Sequence, residues 1–370
     1  MTAAHGATVP DCLLLPGVLD REQAAATVRS LLDEQRPDGS IPWFTGGHLD
    51  VWDHTEAAMA LDAAGEHAAA EAAYAWLTER QNPDGSWYAS YRDGEPEDLA
   101  RESNFCAYPA VGVWHHYLAT GDEDFAERMW PTVAAGIGWV LELQRPDGSL
   151  AWRREQDGGA PDEALLTGSS SIYHALRCAL ALAEVREEPQ PDWELAAARL
   201  EHALLRHPDA FLDKSRYSMD WYYPVLGTAL RGEAAERRLA ADWERFVVPG
   251  EGARCVSDRP WVTGGETAEL ALALWAVGRA DDAVRVLRDI SARTRDDATG
   301  GYWTGWVYED DAIWPEERTT WTAGAVLLAC AALGGDEATS AVFGGERLPR
   351  PVAVAAPDCC AQREADVPAA

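Results

Sequence analysis

Lysine is nearly missing from this sequence: Lys214 is the only one, and arginine supplies the rest of the basic charge. Acidic residues outnumber basic ones by 62 to 31, for a formal net charge of -31. Such a chain repels phosphate backbones and anionic headgroups, which excludes nucleic acid and membrane surfaces as partners. No apolar run approaches the roughly 20 residues that a membrane span needs, so integral membrane association is excluded as well. The seven cysteines include no CxxC pair and are odd in number, which argues against a zinc knuckle and a disulfide framework. The N-terminus carries no basic region ahead of Leu13-Leu14-Leu15 and does not read as a secretory signal. The expected compartment is the cytoplasm.

What the sequence does contain is a repeat. Leu31 to Ser40, Trp76 to Trp87 and Val140 to Ser149 each carry a helical apolar pattern into Pro-Asp-Gly-Ser, and Asp297 to Trp303 is a weaker fourth copy. Pro-Asp-Gly cannot continue a helix and turns the chain. Repeats of this length signal supersecondary units stacked around one continuous core.

Helical periodicity then sorts the chain into two alternating classes. Amphipathic segments with a charged face lie near 21–35, 66–81, 122–144, 192–207, 232–247 and 280–295. Segments that are small and apolar on all sides lie near 53–64, 103–119, 168–185, 220–231, 264–278 and 319–333. The second class must be buried and the first must lie at the surface. The expected fold is all-α, an (α/α)6 toroid spanning 21–344. Residues 1–20 form an N-terminal extension, and 345–370, without periodicity, are expected to be a disordered tail. The long connections from outer to inner helices share one face and form a mouth.

The spacing aromatic-Leu-x3-Gln-x3-Gly-x-Trp, complete from Trp76 to Trp87, resembles the QW motif of the squalene-hopene cyclase and prenyltransferase-like superfamily. The resemblance covers most of residues 20–335. In those cyclases an inner helix opens with the acid that protonates the substrate, and Val51-Trp52-Asp53-His54-Thr55-Glu56-Ala57 is similar to that motif. The resemblance implies Asp53 as general acid with His54 and Glu56 beside it. His54 stands where the cyclases have Asp or Cys, and Glu56-Ala57 reverses their order. The same residues also suit a capping box, with Asp53 as N-cap and Glu56 three residues on. Protein prenyltransferases share the toroid and bind zinc with a late His, but this chain has no histidine beyond His207. The magnesium-binding Asp-Asp-x-x-Asp run of class I terpene synthases fails at its last position in Asp310 to Trp314.

Other polar and aromatic residues converge on the mouth as candidate substrate contacts: Trp43, Trp52, Glu102, Asn104, Asp220, Trp221, Tyr222, Trp261, Glu266, Glu317 and Trp321. Thr263 to Glu266 again suits a capping box. His115-His116 sits late in an inner helix, where a structural role is the better reading than metal ligation. Tryptophan is abundant, 17 against 6 Phe. Indole faces stabilise carbocations, stack on sugars and fill cores alike. The leading expectation is a class II isoprenoid cyclase acting on a small-molecule substrate, with no metal and no cofactor. The alternative is a carbohydrate-active toroid in which two mouth carboxylates act as acid and base, and a third reading is a silent binding module. The sequence leaves the oligomeric state open.

Overall fold

A computed structural model describes residues 9–351. Helices alternate outward and inward along the chain. The first pair is α1 (Arg21–Glu34) outside and α2 (Val51–Ala63) inside. Next comes α3 (His67–Arg80) outside, with α4 (Ser103–Ala107) and α5 (Pro109–Thr120) inside. The third pair is α6 (Glu123–Leu141) and α7 (Leu166–Val185), and the fourth α8 (Pro191–Arg206) and α9 (Ser218–Leu226). Then follow α10 (Gly232–Ala241), the short α11 (Trp243–Phe246) and inner α12 (Gly264–Ala276). Outer α13 (Ala280–Thr294), inner α14 (Thr320–Leu333) and a last short α15 (Glu337–Gly344) complete the helices. Inner helices touch in the order α2, α5, α7, α9, α12, α14, and α14 returns to α2, so the ring is closed. This is the expected all-α (α/α)6 toroid.

Burial follows the two sequence classes. In α14 every residue from Thr320 to Ala332 is buried, whereas α13 buries Ala283, Val286, Leu287, Ile290 and Thr294 at helical spacing and turns its charges outward. No single helix among the described residues is long and apolar enough to cross a membrane.

The repeat is the joint between successive outer helices. After α1, α3 and α6 the turns close alike: Arg36, Asn82 and Arg145 each donate N–H to the serine carbonyl four residues on. The preceding glutamine spans the joint. Gln35 Nε2 donates to Gly39 O and to Ala69 O of α3, Gln81 to Gly85 O and Thr132 O of α6, and Gln144 to Gly148 O and Ala196 O of α8. The glycines have φ of +87°, +92° and +89°, and a Cβ there would stand 2.1–2.3 Å from Ala72 O, Ala135 O or Arg199 O of the next outer helix. The weaker fourth copy closes the circle: Gly300 abuts Ala26 of α1 and its carbonyl accepts from Thr27 Oγ1 at 2.9 Å. Gly85→Ala is therefore expected to cost about 1–3 kcal/mol more than Gly46→Ala, which carries only the left-handed strain because nothing lies within 4 Å of its added Cβ. Denaturant melts of both variants measure the difference, and equal losses would show that the close approach is unimportant.

The structure departs from expectation at a few elements. The second inner segment breaks between Ala107 and Pro109, because proline has no N–H for the helix ladder. The fourth ends at Leu226, before Thr228 with φ +67°. Short strands line the mouth, the largest sheet pairing Trp261–Thr263, Gly305–Val307 and Ala312–Ile313. The expected tail boundary at 345 is corrected. Arg177 donates to the carbonyls of Gly345, Leu348 and Pro349, so packed chain continues beyond α15 under the barrel. The rest of that tail, with Cys359 and Cys360, lies outside the described residues. The described cysteines, Cys12, Cys106, Cys178, Cys255 and Cys330, are free thiols.

Candidate active site

Two stripes of carboxylates occupy the mouth. On α2 and the residue before it, Asp50, Asp53 and Glu56 recur every third position and share one face. On α12, Glu266 and Glu269 do the same. Both helices flank α14, and their acids are close enough for the Glu56 charge to raise Glu269 and for Glu269 to raise Asp53.

The N-cap of α2 is Asp50, not Asp53. Asp50 Oδ1 accepts from Asp53 N at 2.9 Å and Oδ2 from Trp43 Nε1 at 2.8 Å. The capping box expected at Asp53 and Glu56 does not form, and their carboxyls are left free of backbone duty. Asp53 lies against the Asp50 carboxyl, and burial, then Asp50, Glu56 and Glu269, push it well above the usual carboxylate range. Burial pushes Glu56 up to about 8, with Asp50 adding to it, and its Oε2 has no hydrogen-bond partner. Glu269 is raised by burial and Glu56; Tyr222 and Tyr223 (3.4 Å) donate hydroxyl hydrogen bonds to it, opposing the rise. Glu102 is pushed up to about 7 by burial and Asp50, against the pull of Arg153.

Glu266 stands one turn above Glu269. The box expected with Thr263 does not form: Thr263 is the N-cap of α12 but makes no side-chain cap bond. Burial, then the neighbouring Glu266 charge, pushes the Cys255 thiol up, and Glu266 Oε2 is buried without a partner. Gly265 packs so tightly on Trp321 that an added Cβ would lie 2.5 Å from the indole. Trp321 in turn faces Trp43, ring centres 6.1 Å apart. On the other side Trp52 meets Tyr223 at 5.4 Å, Tyr108 at 5.6 Å and Phe105 at 6.0 Å. The acids therefore sit between aromatic walls.

Several sequence candidates are placed elsewhere. His54 has both ring nitrogens engaged, accepting from Ile41 N at 3.1 Å and donating to Ala73 O at 2.9 Å, and burial lowers it to about 4. It joins α2 to α3 as a neutral imidazole. Asp220 accepts from Thr167 N and Oγ1 (2.7 Å) at the start of α7. Trp221 stacks on Phe246 and donates to Arg238 O, toward the outer ring. Asn104 packs near Gly168 of α7. Trp261 donates to Trp314 O on the rim sheet, and Glu317 offers its carbonyl to Thr304. Asp50, Glu269, Tyr108 and Cys255 are not singled out as site residues by the sequence. The signal for the first two is present: each lies three residues from an acid that is.

A carboxyl that keeps its proton near neutral pH can donate it, and a carboxylate with a free oxygen can take one from water. Comparison with known proteins bears on which chemistry uses this pair. Residues 11–187 match the squalene-hopene cyclase C-terminal domain. The chain is 54% identical over 337 residues to the MMP endo-(1,4)-3-O-methyl-alpha-D-mannosidase of Mycolicibacterium hassiacum, covering 91% of this chain and 93% of that one. The chain belongs to the family of that mannosidase. Its toroid is that of the squalene-hopene cyclase and prenyltransferase-like superfamily, and it is an enzyme. Among solved structures, a glycosidase in complex with glucose superposes with a TM-score of 0.68 at 17% identity, covering 85% of this chain and 96% of that one. A GH63 mannosylglycerate hydrolase from Thermus thermophilus gives 0.60 at 15% identity, covering 83% and 99%. The expectation of an isoprenoid cyclase is overturned by the mannosidase kinship. The QW-like repeat that suggested it marks how outer helices join, a structural role that fixes no reaction.

Proposed function

We propose that this enzyme is a glycoside hydrolase that cleaves internal links of an α-linked mannose polysaccharide carrying 3-O-methyl groups. Kinship over 91% of the chain with an enzyme of that name supports the substrate class. The observation that carries the reaction type is the pair of facing acid stripes. Asp53 enters protonated and gives its proton to the glycosidic oxygen as the bond to C1 breaks. Glu266, whose Oε2 is buried without a partner, takes a proton from the water that attacks C1. Asp50 orients the acid through the cap, and Glu56 and Glu269 form a floor of further acidic groups. Trp43, Trp52 and Trp321 offer ring faces to the sugars, with Glu102 at hand for a hydroxyl. The five described free thiols suit a reducing compartment, the cytoplasm.

The test is direct. Purified enzyme is incubated with 3-O-methylmannose oligosaccharides and with unmethylated α-1,4-linked mannose oligosaccharides, and mass spectrometry reads the fragments. Internal cuts in the methylated substrate are expected, and proton NMR of the first products should show the inverted anomer. Intact oligosaccharides of both kinds would end the hydrolase reading, and a retained anomer would make Glu266 a nucleophile instead of a base.

A further inference from the structure

At the end of the barrel away from the mouth, three side chains from separate helices meet. Asp62 lies in the last turn of α2, His67 is the first residue of α3, and His116 lies near the end of α5. His116 Nδ1 is 2.8 Å and His67 Nδ1 3.0 Å from Asp62 Oδ1, and the three potential donor atoms lie within 4.8 Å of one another. The side chains of Asp62 and His116 are fully buried, while that of His67 is 41% exposed.

Asp62 is in an unusual electrostatic position. It stands where the carbonyl ends of α2 and α5 converge, the negative poles of two helix dipoles, and burial removes water from it. Among the described residues its ion-pair partners are two imidazoles, with no guanidinium or ammonium. The Tyr74 hydroxyl, 3.4 Å from Oδ2 and 3.0 Å from Gly112 O, adds a dipole but no charge. His116 has no second partner, since Nε2 is buried without one, so its polar chemistry is confined to the Nδ1 that faces Asp62.

We propose that Asp62, His67 and His116 form a binding site for a divalent transition metal, zinc by donor chemistry. Two imidazole nitrogens and one carboxylate oxygen are a common zinc donor set. Tetrahedral bonds of about 2.0–2.2 Å put neighbouring donors about 3.3–3.6 Å apart, so the imidazoles, now 2.8 and 3.0 Å from Asp62 Oδ1 and within 4.8 Å of each other, need to shift by only about half an ångström from the carboxylate to admit the ion. The exposed edge of His67 leaves the fourth position to water. Binding places each imidazole proton on Nε2, frees Nδ1 for the ion, and supplies the positive charge that the buried carboxylate lacks. The ion would tie the α2–α3 turn to α5, far from the acid stripes, so the site is independent of the hydrolase reading. Spacing rules for zinc in sequence could not find it, because the ligands sit at helix ends that only the closed ring brings together.

The experiment uses the full chain without an affinity tag, treated with a chelator and then titrated with zinc chloride against a chromophoric competitor. One equivalent is expected to bind and to raise the melting temperature. His67→Ala, at a half-exposed position, should weaken binding at least roughly tenfold with an unchanged circular dichroism spectrum. His202→Ala, at the other histidine pair, should leave it unchanged. No stoichiometric zinc, or the same affinity in His67→Ala, would overturn the proposal, as would loss of the site in His202→Ala alone.

Discussion

Asp53→Asn is expected to lower hydrolysis by roughly 10²- to 10⁴-fold, the range associated with loss of a positioned proton donor. The amide keeps the shape of the carboxyl but has no proton to give. Two features make the result interpretable. Asp53 is not the cap of α2, a duty that falls to Asp50, so the substitution takes no bond from the helix end. Asp53 also faces other acids and has no cationic partner, so a neutral amide in its place leaves no buried charge unpaired. The variant should therefore fold at least as stably as the parent. Activity near the parental level in a folded Asp53→Asn would transfer the acid role to Asp50 or Glu56. Glu266→Gln should lose activity as well, and the pair separates by pH profile. Loss of the acid removes the decline in rate on the alkaline side, which Glu266→Gln should keep.

Glu56→Gln should stabilise the protein at pH 8 and gain progressively less toward pH 4. In the folded protein Glu56 keeps its proton up to about 8, against an ordinary value of 4.5. Above 4.5 the unfolded chain releases that proton while the folded chain still holds it, so the unfolded state binds fewer protons. Stability from this group accordingly falls as pH rises from 4.5 through 8. Glutamine does not titrate, and the variant escapes the penalty. Any packing cost of the amide is independent of pH, so the informative quantity is the change in melting-temperature difference between the two pH values. An identical difference at both would show that Glu56 does not carry the burden. The parent retains an acid that destabilises it at neutral pH, as expected where a site is built for chemistry.

Much of the architecture is legible along the chain. The alternation of charged-face and all-apolar helices specifies the ring, because burial on one side or on all sides is written directly in residue periodicity. The Pro-Asp-Gly copies mark the joints, and even the weak copy at Gly300 proves to be one, closing α13 onto α1. The breaks are less legible. Pro109 interrupts an inner segment whose apolar pattern runs on without pause, and α9 stops early where Thr228 turns left-handed.

The site is legible in composition and not in detail. Periodicity places Asp53, Glu56 and Glu266 on inner helices at the mouth, but it does not say which acid caps and which is free. Asp50 and Asp53 both suit the first turn, and the bond from Asp53 N to Asp50 decides between them. Asp220 and Trp221 stand at the mouth by position, yet the rotation of α9 turns them to Thr167 and to Phe246. The neighbours of His54 suggest a catalytic role, and the structure commits both its nitrogens to backbone.

What the sequence determined by itself was the toroid, its mouth and its excess of acid, because each follows from local pattern or from composition. What only the tertiary structure decided was the chemistry's geometry. A carboxyl holds its proton to higher pH when helices distant in sequence bury it beside other carboxyls, as α12 does for α2. Burial and charge proximity are properties of the closed ring, so no window of sequence contains them.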